Sequence, residues 1–395
     1  MKLNRGRMLT AMPGPSVIPD RVLNAMHASM PNIYTGALVE TSLSNFDDLP
    51  AIARTTGHVF VAISNGHGAW EMALTNTLCR GDKILVLESG RFALGWGDQA
   101  NLLGAEVEIL KAAERSPVDP SAVEERLRAD TQHEIKAVLV VQVDTASGVW
   151  NDIAAIRRAI TAAGHPALYM VDCIASLGCV EYLMDDWGVD VTVGGSQKGL
   201  MVPPGLGLVW ASEKAVAAHK EADMRTSYWD WTARLSDEAH YLRYCGTSPV
   251  QHIYAMRAAL DMIAEEGLEA IWERHSIQSR AVKAAVEAWS TVGGIEFNII
   301  DPAHRSDSTT TVLGGSIDTD RLCQICEHDA GLVIGIGLGD LAGSSFRIGH
   351  MGHLNPPMVL GTLSTIEAAL KSMNAPIGAS GAEAAAGVIA EALRS

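Results

Sequence analysis

Short apolar runs alternate with helical stretches between residues 58 and 210, and this alternation restricts the possible folds more than any other feature of the chain. Several runs are apolar on successive residues, which is typical of strands covered on both faces. Such alternation predicts an α/β fold, with a mostly parallel seven-stranded sheet flanked by helices. The predicted strands lie at residues 58–63, 83–88, 105–110, 135–142, 168–172, 189–194 and 206–211. The predicted helices between them include residues 70–79, 121–128 and 152–163.

A different pattern follows Pro249 and predicts a smaller α+β domain. We therefore predict an N-terminal arm at 1–19, a large domain at 20–250 and a small C-terminal domain at 251–395. The small domain begins with a helical region at 250–290 that is interrupted near Gly267. Its other predicted elements are strands at 296–300, 309–313 and 344–348 and helices at 320–329, 357–373 and 378–395.

Composition narrows the possible partners. The chain has 395 residues, 48% of them hydrophobic, and a formal net charge of −16. An acidic surface repels nucleic acid and anionic membranes, so we expect neither as a partner. No window approaches 18 uninterrupted apolar residues, and the basic start lacks the apolar run of a secretory signal. These features predict an acidic soluble protein.

The six cysteines are scattered along the chain, which suits free thiols in a reducing cytoplasm. Cys323 and Cys326 form a Cys-x-x-Cys pair in a predicted helix. A second cysteine pair that could complete a zinc site is missing from the sequence, so we expect no metal.

Polar or glycine-rich segments follow four of the predicted strands. Asp172 ends one strand, residues 196–198 (Ser-Gln-Lys) follow the next, and residues 144–148 and 64–68 follow two others. In an open α/β sheet, ligands bind at the carboxyl ends of the strands. These four segments therefore predict one binding site.

Lys198 and Asp172 suit a particular cofactor. A lysine in an apolar, glycine-rich stretch has a lowered pKa and can act as an amine nucleophile and proton carrier. An aspartate on a neighbouring strand can hold a cationic ring nitrogen, and pyridoxal phosphate chemistry needs both groups. Two alternatives stay open: Lys198 paired with a buried carboxylate, and Asp172 as a cap of its own loop.

Two further segments carry weaker signals. Residues 65–68 (Asn-Gly-His-Gly) can cradle an anion at a helix N-terminus, although an ordinary strand-to-helix turn explains the same residues. Arg347 lies between apolar residues at a predicted strand end, which suits bidentate capture of a carboxylate. A structural ion pair would explain Arg347 equally well.

Taken together, these motifs resemble the class V (fold type I) aminotransferases, specifically the alanine–glyoxylate and serine–glyoxylate group. The resemblance covers nearly the whole chain, from residues 13–16 (Pro-Gly-Pro-Ser) to Arg347. Its most specific part is residues 171–176, followed by Gly-Ser-Gln-Lys-Gly at 195–199 and Pro-Pro-Gly at 203–205. The resemblance implies that Lys198 binds pyridoxal 5'-phosphate through an imine and that Asp172 contacts the pyridine nitrogen.

The same resemblance implies roles for other residues. Gly66, His67 and Gln197 are similar to the residues that hold the phosphate, Phe92 to the stacking aromatic residue, and Thr145 to the hydroxyl residue near the phenolic oxygen. Ile174 belongs to the cofactor motif. Substrate contacts are implied for Arg347, Gly14 and Tyr34. Tyr244 and Thr247 resemble a pair that the second subunit supplies to the phosphate, which implies a homodimer with sites at the interface.

The chain departs from the family pattern in two places. Many relatives carry a His-Arg-Ser segment where residues 32–40, including Tyr34, stand here, and this puts the substrate in question. The loop at 144–148 begins with aspartate where the family usually has glutamate.

We expect a ping-pong transaminase that moves an amino group from serine, alanine or aspartate to glyoxylate or a similar 2-oxo acid. One alternative is a cysteine desulfurase, although Gln197 stands where that family has a histidine before the lysine. Another is a non-catalytic binding protein that has kept the fold. The sequence shows no basic DNA-binding module before Pro13, which counts against a regulatory relative.

Overall fold

The computed structural model describes residues 3–236 and 238–394. The strands, in chain order, are β1 (Leu9–Ala11), β2 (His58–Ser64), β3 (Lys83–Glu88), β4 (Glu106–Lys111), β5 (Ile135–Val141), β6 (Leu168–Asp172), β7 (Val191–Gly195), β8 (Gly205–Ala211), β9 (Glu296–Phe297), β10 (Thr309–Leu313), β11 (Leu332–Ile336) and β12 (Ser345–Gly349).

The α-helices frame these strands along the whole chain. They are α1 (Asp20–Met26), α2 (Ala37–Ile52), α3 (Gly66–Thr75), α4 (Arg91–Leu103), α5 (Pro120–Ala129), α6 (Ile153–Ala162), α7 (Glu213–Glu221), α8 (Trp231–Arg234), α9 (Val250–Glu266), α10 (Leu268–Ser290), α11 (Thr319–Gln324), α12 (Pro356–Ser372) and α13 (Gly381–Ala392). A π-helical segment, Ile325–Ala330, continues α11.

The large sheet has seven strands in the order β2-β8-β7-β6-β5-β3-β4. All neighbours are parallel except β8, which runs antiparallel to β2 and β7. This confirms the mostly parallel α/β sheet predicted from the sequence. Because β5, β6 and β7 lie side by side and point the same way, their carboxyl ends meet at one edge.

The central strands are buried on both faces, which explains their continuous apolar sequence. Val138 and Val140 of β5 pack into one core with α6 and α9. Leu139 and Val141 of the same strand pack into a second core, which α3 and α4 cover from the other side. The sheet is therefore the middle layer of three, and the helices on both faces hold the strand ends in place.

The second sheet has the order β1-β11-β12-β10-β9 and packs against α10, α12 and α13. The sequence patterns missed β1 and β11, and β9 is only two residues long instead of the predicted five. Strand β1 comes from the predicted N-terminal arm and pairs parallel with β11, which is distant along the chain. The division into an arm and two domains stays a prediction.

Several predicted helix boundaries differ from the structure. The prediction that a helix opens at about Trp70 is wrong by four residues, because α3 begins at Gly66 with Asn65 as its N-cap. The break near Gly267 is confirmed, since this glycine has a φ of 85° between α9 and α10. The predicted last helix is α13, and Met1, Lys2 and Ser395 lie outside the described residues.

Within the part of the chain that the structure describes, every helix is too short or too polar to cross a bilayer.

Candidate active site

A cavity of about 210 Å³ opens at the edge where β5, β6 and β7 end. Eight of the residues singled out from the sequence line it: Gly66, His67, Phe92, Thr145, Asp172, Ile174, Gln197 and Lys198. Asn65, Trp70, Val141, Val143 and Ala175 complete the wall. The predicted meeting of four strand ends at one site is therefore seen in the structure.

Asp172 ends β6 and is almost completely buried. One carboxylate oxygen, Oδ1, accepts a hydrogen bond from the amide of Ile174 at 2.7 Å. The other, Oδ2, accepts one from the indole nitrogen of Trp70 at 2.8 Å. Burial raises the pKa of Asp172 to about 7, because the charged form loses its hydration. A cationic partner in the cavity would return the carboxylate to its charged form.

Lys198 lies in the turn after β7, and its ammonium donates to the carbonyl of Pro13. Burial, reinforced by the positive charge of nearby Arg347, lowers the pKa of Lys198 to about 8. Gly14 has a φ of 95°, and a Cβ there would collide with the lysine side chain. Glycine is therefore required at position 14 for the N-terminal segment to pass over Lys198.

The N-terminus of α3 forms one end of the cavity. The amides of His67 and Gly68 donate to Oδ1 of Asn65, so neither is free to bind the anion that residues 65–68 are predicted to cradle. This occurs because Asn65 adopts an extended backbone and acts as an N-cap. Gly66 is packed so closely that a Cβ would collide with Ile174.

Gln197 contributes an unpaired polar atom to the same wall. Its Oε1 is buried and has no hydrogen-bond partner among residues 3–236 and 238–394. A buried amide without a partner costs free energy unless a ligand or water satisfies it. The cavity wall thus contains a polar group that a bound molecule can use.

Asp144 organises the loop after β5, although it does not line the cavity. It is fully buried, and its carboxylate accepts from the amides of Phe92, Ala146 and Ser147 at 2.7 to 2.9 Å. Burial raises the pKa of Asp144. These bonds tie the start of α4, where Phe92 lies, to the loop that presents Thr145. Position 90 needs glycine, because a Cβ there would collide with the Asp144 carboxylate.

Arg347 reaches the site from β12 of the second sheet. It is buried, and it donates from Nε to the carbonyl of Ile336 at 2.7 Å and from Nη1 to that of Thr145 at 2.8 Å. Burial lowers the pKa of Arg347 to about 10, so it stays charged at neutral pH. Its two bonds are to carbonyls, and Nη2 has no bond to any described residue. A buried guanidinium bonded in this way can still donate hydrogen bonds to a carboxylate and pair with its charge.

Three residues predicted for the site lie away from this cavity within the chain. Tyr244 is buried, and its hydroxyl shares a 2.6 Å hydrogen bond with Ser42. Thr247 is exposed. Tyr34 is 65% exposed, with its ring edge-on to Tyr241. The single chain therefore does not bring them together with Lys198.

Trp70 and Pro13 were not assigned to the site from the sequence. Trp70 lies one turn after the start of α3. Because helical side chains tilt towards the N-terminus of their helix, this position could have predicted that Trp70 lies near the site. The carbonyl of Pro13 carries no signal of its own, because any residue has one.

A second cavity of about 340 Å³ shares His67, Trp70 and Phe92 with the first. Its far wall is the segment Gly339–Leu341, which follows β11.

The cysteine pair does not form a reactive centre. Burial raises the pKa of Cys323 to about 11 and that of Cys326 to about 12. Such thiols are protonated at neutral pH and poor nucleophiles, which counts against the desulfurase alternative. The described residues contain no cluster of three or more His, Cys, Asp or Glu that could hold a metal ion.

The chain is similar over most of its length to several known aminotransferases. The chain is 38% identical to a serine–glyoxylate aminotransferase of Methylorubrum extorquens, over 92% of this chain and 91% of the relative. It is 37% identical to an L-aspartate–glyoxylate aminotransferase of Paracoccus denitrificans, over 93% and 92%. The crystal structure of a ureidoglycine–glyoxylate aminotransferase from Bacillus subtilis superposes with a TM-score of 0.88 and 26% identity, covering 98% of this chain and 100% of that one.

A family model adds to these matches. Residues 52–340, which hold both strand-end residues Asp172 and Lys198, match the family described as aminotransferase class V. With the matched span and the near full-length relatives in agreement, the chain belongs to the class V aminotransferases.

Proposed function

We propose that this protein is a pyridoxal phosphate-dependent aminotransferase that moves an amino group from a small amino acid to glyoxylate or a similar 2-oxo acid. One observation carries the proposal: Lys198 and Asp172, on neighbouring strand ends, line one cavity in a class V aminotransferase chain. A primary amine and a carboxylate so placed match the two groups that this cofactor needs.

The residues present fit the cofactor. Lys198 would bind it through its amine, and Asp172 would face the ring nitrogen. Gly66, His67 and Gln197 would lie at the phosphate, once Asn65 releases the amides at the start of α3. Gln197 would face the phosphate with Nε2, because its unpaired Oε1 can only accept. The ring would lie among Phe92, Ile174 and Thr145. When bound, pyridoxal phosphate supplies the carbonyl that accepts the amino group and an electron-withdrawing ring.

Two side chains of the protein would act on the substrate: Arg347 would bind it and Lys198 would move a proton. Arg347 pairs with the substrate carboxylate and orients the Cα–H bond. The amine of Lys198 would remove the proton from the substrate Cα and deliver it to C4′, the cofactor carbon that takes up the amino group. A pKa of about 8 suits this role, because a proton carrier works best when its pKa lies near the working pH.

The names of the relatives differ in the amino donor and agree in the acceptor. Serine, aspartate and ureidoglycine are named as donors, and glyoxylate is common to all three. We therefore propose glyoxylate as the acceptor and serine, alanine or aspartate as the donor. Donor choice depends on a few side-chain contacts, whereas the acceptor needs only a carboxylate and a carbonyl.

We further propose a homodimer in the cytoplasm, with Tyr244 and Thr247 of each subunit facing the cofactor phosphate of the other. This follows the resemblance to the family. Thr247 is exposed, as such a contact requires, whereas Tyr244 is buried with its hydroxyl on Ser42 and would have to leave that bond. Lys198 is the only cation that lines that cavity among the described residues, so a dianionic phosphate needs further donors.

The test is a panel of amino donors offered to the purified holoenzyme with glyoxylate or pyruvate. We expect glyoxylate to support turnover with at least one of serine, alanine and aspartate. The cofactor absorbance should also change when the donor alone is added, because the first half-reaction needs no acceptor. A protein that binds no pyridoxal phosphate, or whose bound cofactor is unchanged by every donor, would refute the proposal.

A further inference from the structure

The indole of Trp70 is tied to the carboxylate at the bottom of the cavity. Nε1 of Trp70 donates to Oδ2 of Asp172 at 2.8 Å, and both side chains are almost completely buried. The two residues are 102 positions apart, on α3 and β6. A hydrogen bond to a buried charged group is stronger than one between neutral groups.

The two bonds to Asp172 fix how its carboxylate is oriented. The amide of Ile174 takes Oδ1 and the indole of Trp70 takes Oδ2, so neither oxygen can turn away without breaking a bond. Each oxygen keeps acceptor capacity for one more donor. The charged groups that act on this carboxylate are Asp144, which disfavours its ionised form, and Lys198, which favours it.

The indole itself has little freedom to move. It stacks on Trp96 with the ring centres 6.0 Å apart and 16° between the planes, and it meets the edge of Phe92 at 6.4 Å. His67 covers it at 4.6 Å. Burial and these contacts hold the indole N–H on the carboxylate.

Trp70 resembles Trp289, which donates to the carboxylate of Glu367 at 3.1 Å, but it differs from two other buried tryptophans. The indole nitrogens of Trp96 and Trp231 are buried without a partner among the described residues. An N–H on a carboxylate is therefore not a general consequence of tryptophan burial here.

We propose that Trp70 is a positioning residue: its N–H holds the Asp172 carboxylate in the ionised form and in the orientation that meets a cationic ring nitrogen. This rests on the proposed function, because it needs Asp172 to serve the cofactor. Trp70 acts through Asp172 and needs no contact of its own with the substrate. The direction of the pKa shift agrees, since the bond from Trp70 is one of the interactions that lower the pKa of Asp172 against burial.

The experiment compares Trp70→Phe with Trp96→Phe in the full-length protein. Both changes replace a buried indole with a smaller ring in the same stack, but only the first removes a bond to Asp172. The rate of cofactor loss from each holoenzyme and the affinity of the stripped protein for pyridoxal phosphate are measured. We expect Trp70→Phe to weaken the affinity by about tenfold to a hundredfold and Trp96→Phe to leave it unchanged.

Asp172→Asn and the double variant Trp70→Phe/Asp172→Asn complete the cycle. If Trp70 acts through Asp172, the double variant binds the cofactor no more weakly than Asp172→Asn alone. Additive losses, or equal losses in Trp70→Phe and Trp96→Phe, would overturn the inference and leave the proposed function standing. Normal cofactor affinity and turnover in Asp172→Asn would instead overturn the role of Asp172 in the proposed function.

Discussion

Two buried polar clusters, one at each sheet, respond differently to burial. The cavity cluster consists of Asp172, Gln197 and Lys198, which line the cavity, and of Arg347 on β12, which lies beside it and donates to the carbonyl of Thr145. The histidine cluster consists of His275, Lys283, Asp307 and His350, between α10 and the second sheet. Both contain ionisable groups whose pKa values are displaced by burial. A displaced pKa alone therefore does not identify the functional site.

The histidine cluster is satisfied within the protein. His275 donates from Nδ1 to the carbonyl of Ile271 at 2.7 Å, and its Nε2 accepts from the amide of Gly352 at 3.0 Å. His350 likewise uses both ring nitrogens, with the carbonyl of Asp307 and the hydroxyl of Thr310.

Lys283 completes the cluster by donating to the Asp307 carboxylate and to the carbonyl of Arg305. These named groups leave little capacity for a ligand.

The cavity cluster, by contrast, keeps spare hydrogen-bonding capacity. Among the described residues, Oε1 of Gln197 has no partner, Arg347 is bonded to carbonyls only, and each oxygen of Asp172 accepts from a single donor. A binding site differs from a structural cluster in what its groups still need, and three predictions test this difference.

The largest expected effect comes from replacing one lysine of each cluster, Lys198 or Lys283, with alanine. Lys198→Ala removes the proposed proton carrier, so kcat/KM should fall by a factor of at least about 10² to 10⁴. Lys283→Ala breaks the ion pair with Asp307 and should lower the free energy of unfolding by about 1 to 3 kcal/mol, with turnover retained. Steady-state kinetics and chemical denaturation of both variants give the two readouts. Near-normal turnover in Lys198→Ala would remove the functional half of the comparison.

The next largest effect is expected from replacing Arg347, and Arg305, which makes similar bonds to backbone carbonyls, serves as its control. Arg305, like Arg347, donates to two carbonyls, those of Ile299 and Ile300, but it already has a carboxylate partner in Glu287. Arg347→Met should lower kcat/KM by about a hundredfold or more, mainly through KM, because the substrate carboxylate loses its cation. Arg305→Met should leave both constants unchanged. Equal KM values in the two variants would show that Arg347 is structural.

The cavity cluster was more accessible to sequence reasoning than its surroundings. Asp172 and Lys198 end apolar runs, and parallel strands bring their carboxyl ends together, so their meeting follows from local pattern and topology. The indole bond of Trp70 joins residues 102 positions apart, and no local pattern specifies such a pair. Their predicted roles in catalysis stay predictions until the variants are made.

Strands β1 and β11 show a second limit of sequence reasoning. Strand β1 has only three residues, too few for a period-two pattern, and its partner lies more than 300 residues later in the chain. Strand β11 contains Gly335, where a Cβ would meet Pro13 and Arg347, so packing overrides the low strand preference of glycine. Both strands depend on tertiary contacts that only the folded chain supplies.

The smallest expected effect is a difference in how the two clusters respond to pH. Burial lowers the pKa of His275 to about 4 and that of His350 to about 3. The unfolded chain therefore binds protons below about pH 6.5 that the folded chain refuses, and stability is lost as the pH falls. Protonated His275 would also aim an N–H at the amide of Gly352. The positive charge of Arg274 further disfavours protonation of His275, and the charge of Lys283 disfavours protonation of His350 in the same way.

The effect of Asp172 on stability changes with pH in the opposite direction to that of the two histidines. Its pKa is raised to about 7 in the fold, so its contribution to stability is complete below about pH 4 and is lost as the pH rises towards 7. The ligand-free Asp172→Asn variant should therefore gain stability over the native protein as the pH rises from 4.5 to 7.5. His275→Gln, which removes a titrating group from the other cluster, should lose stability over the same interval relative to the native protein. Each difference can reach about 1.4 kcal/mol per pH unit for one proton.

Denaturant unfolding of the stripped proteins at several pH values measures both slopes. Parallel slopes for the two variants would mean that the burial of Asp172 costs the empty protein nothing. A rising slope for Asp172→Asn, combined with weaker binding of pyridoxal phosphate, would show that the same buried charge destabilises the empty site and stabilises the occupied one. A structural cluster cannot give this pair of results, because removing one of its members weakens the fold whether or not a ligand is bound.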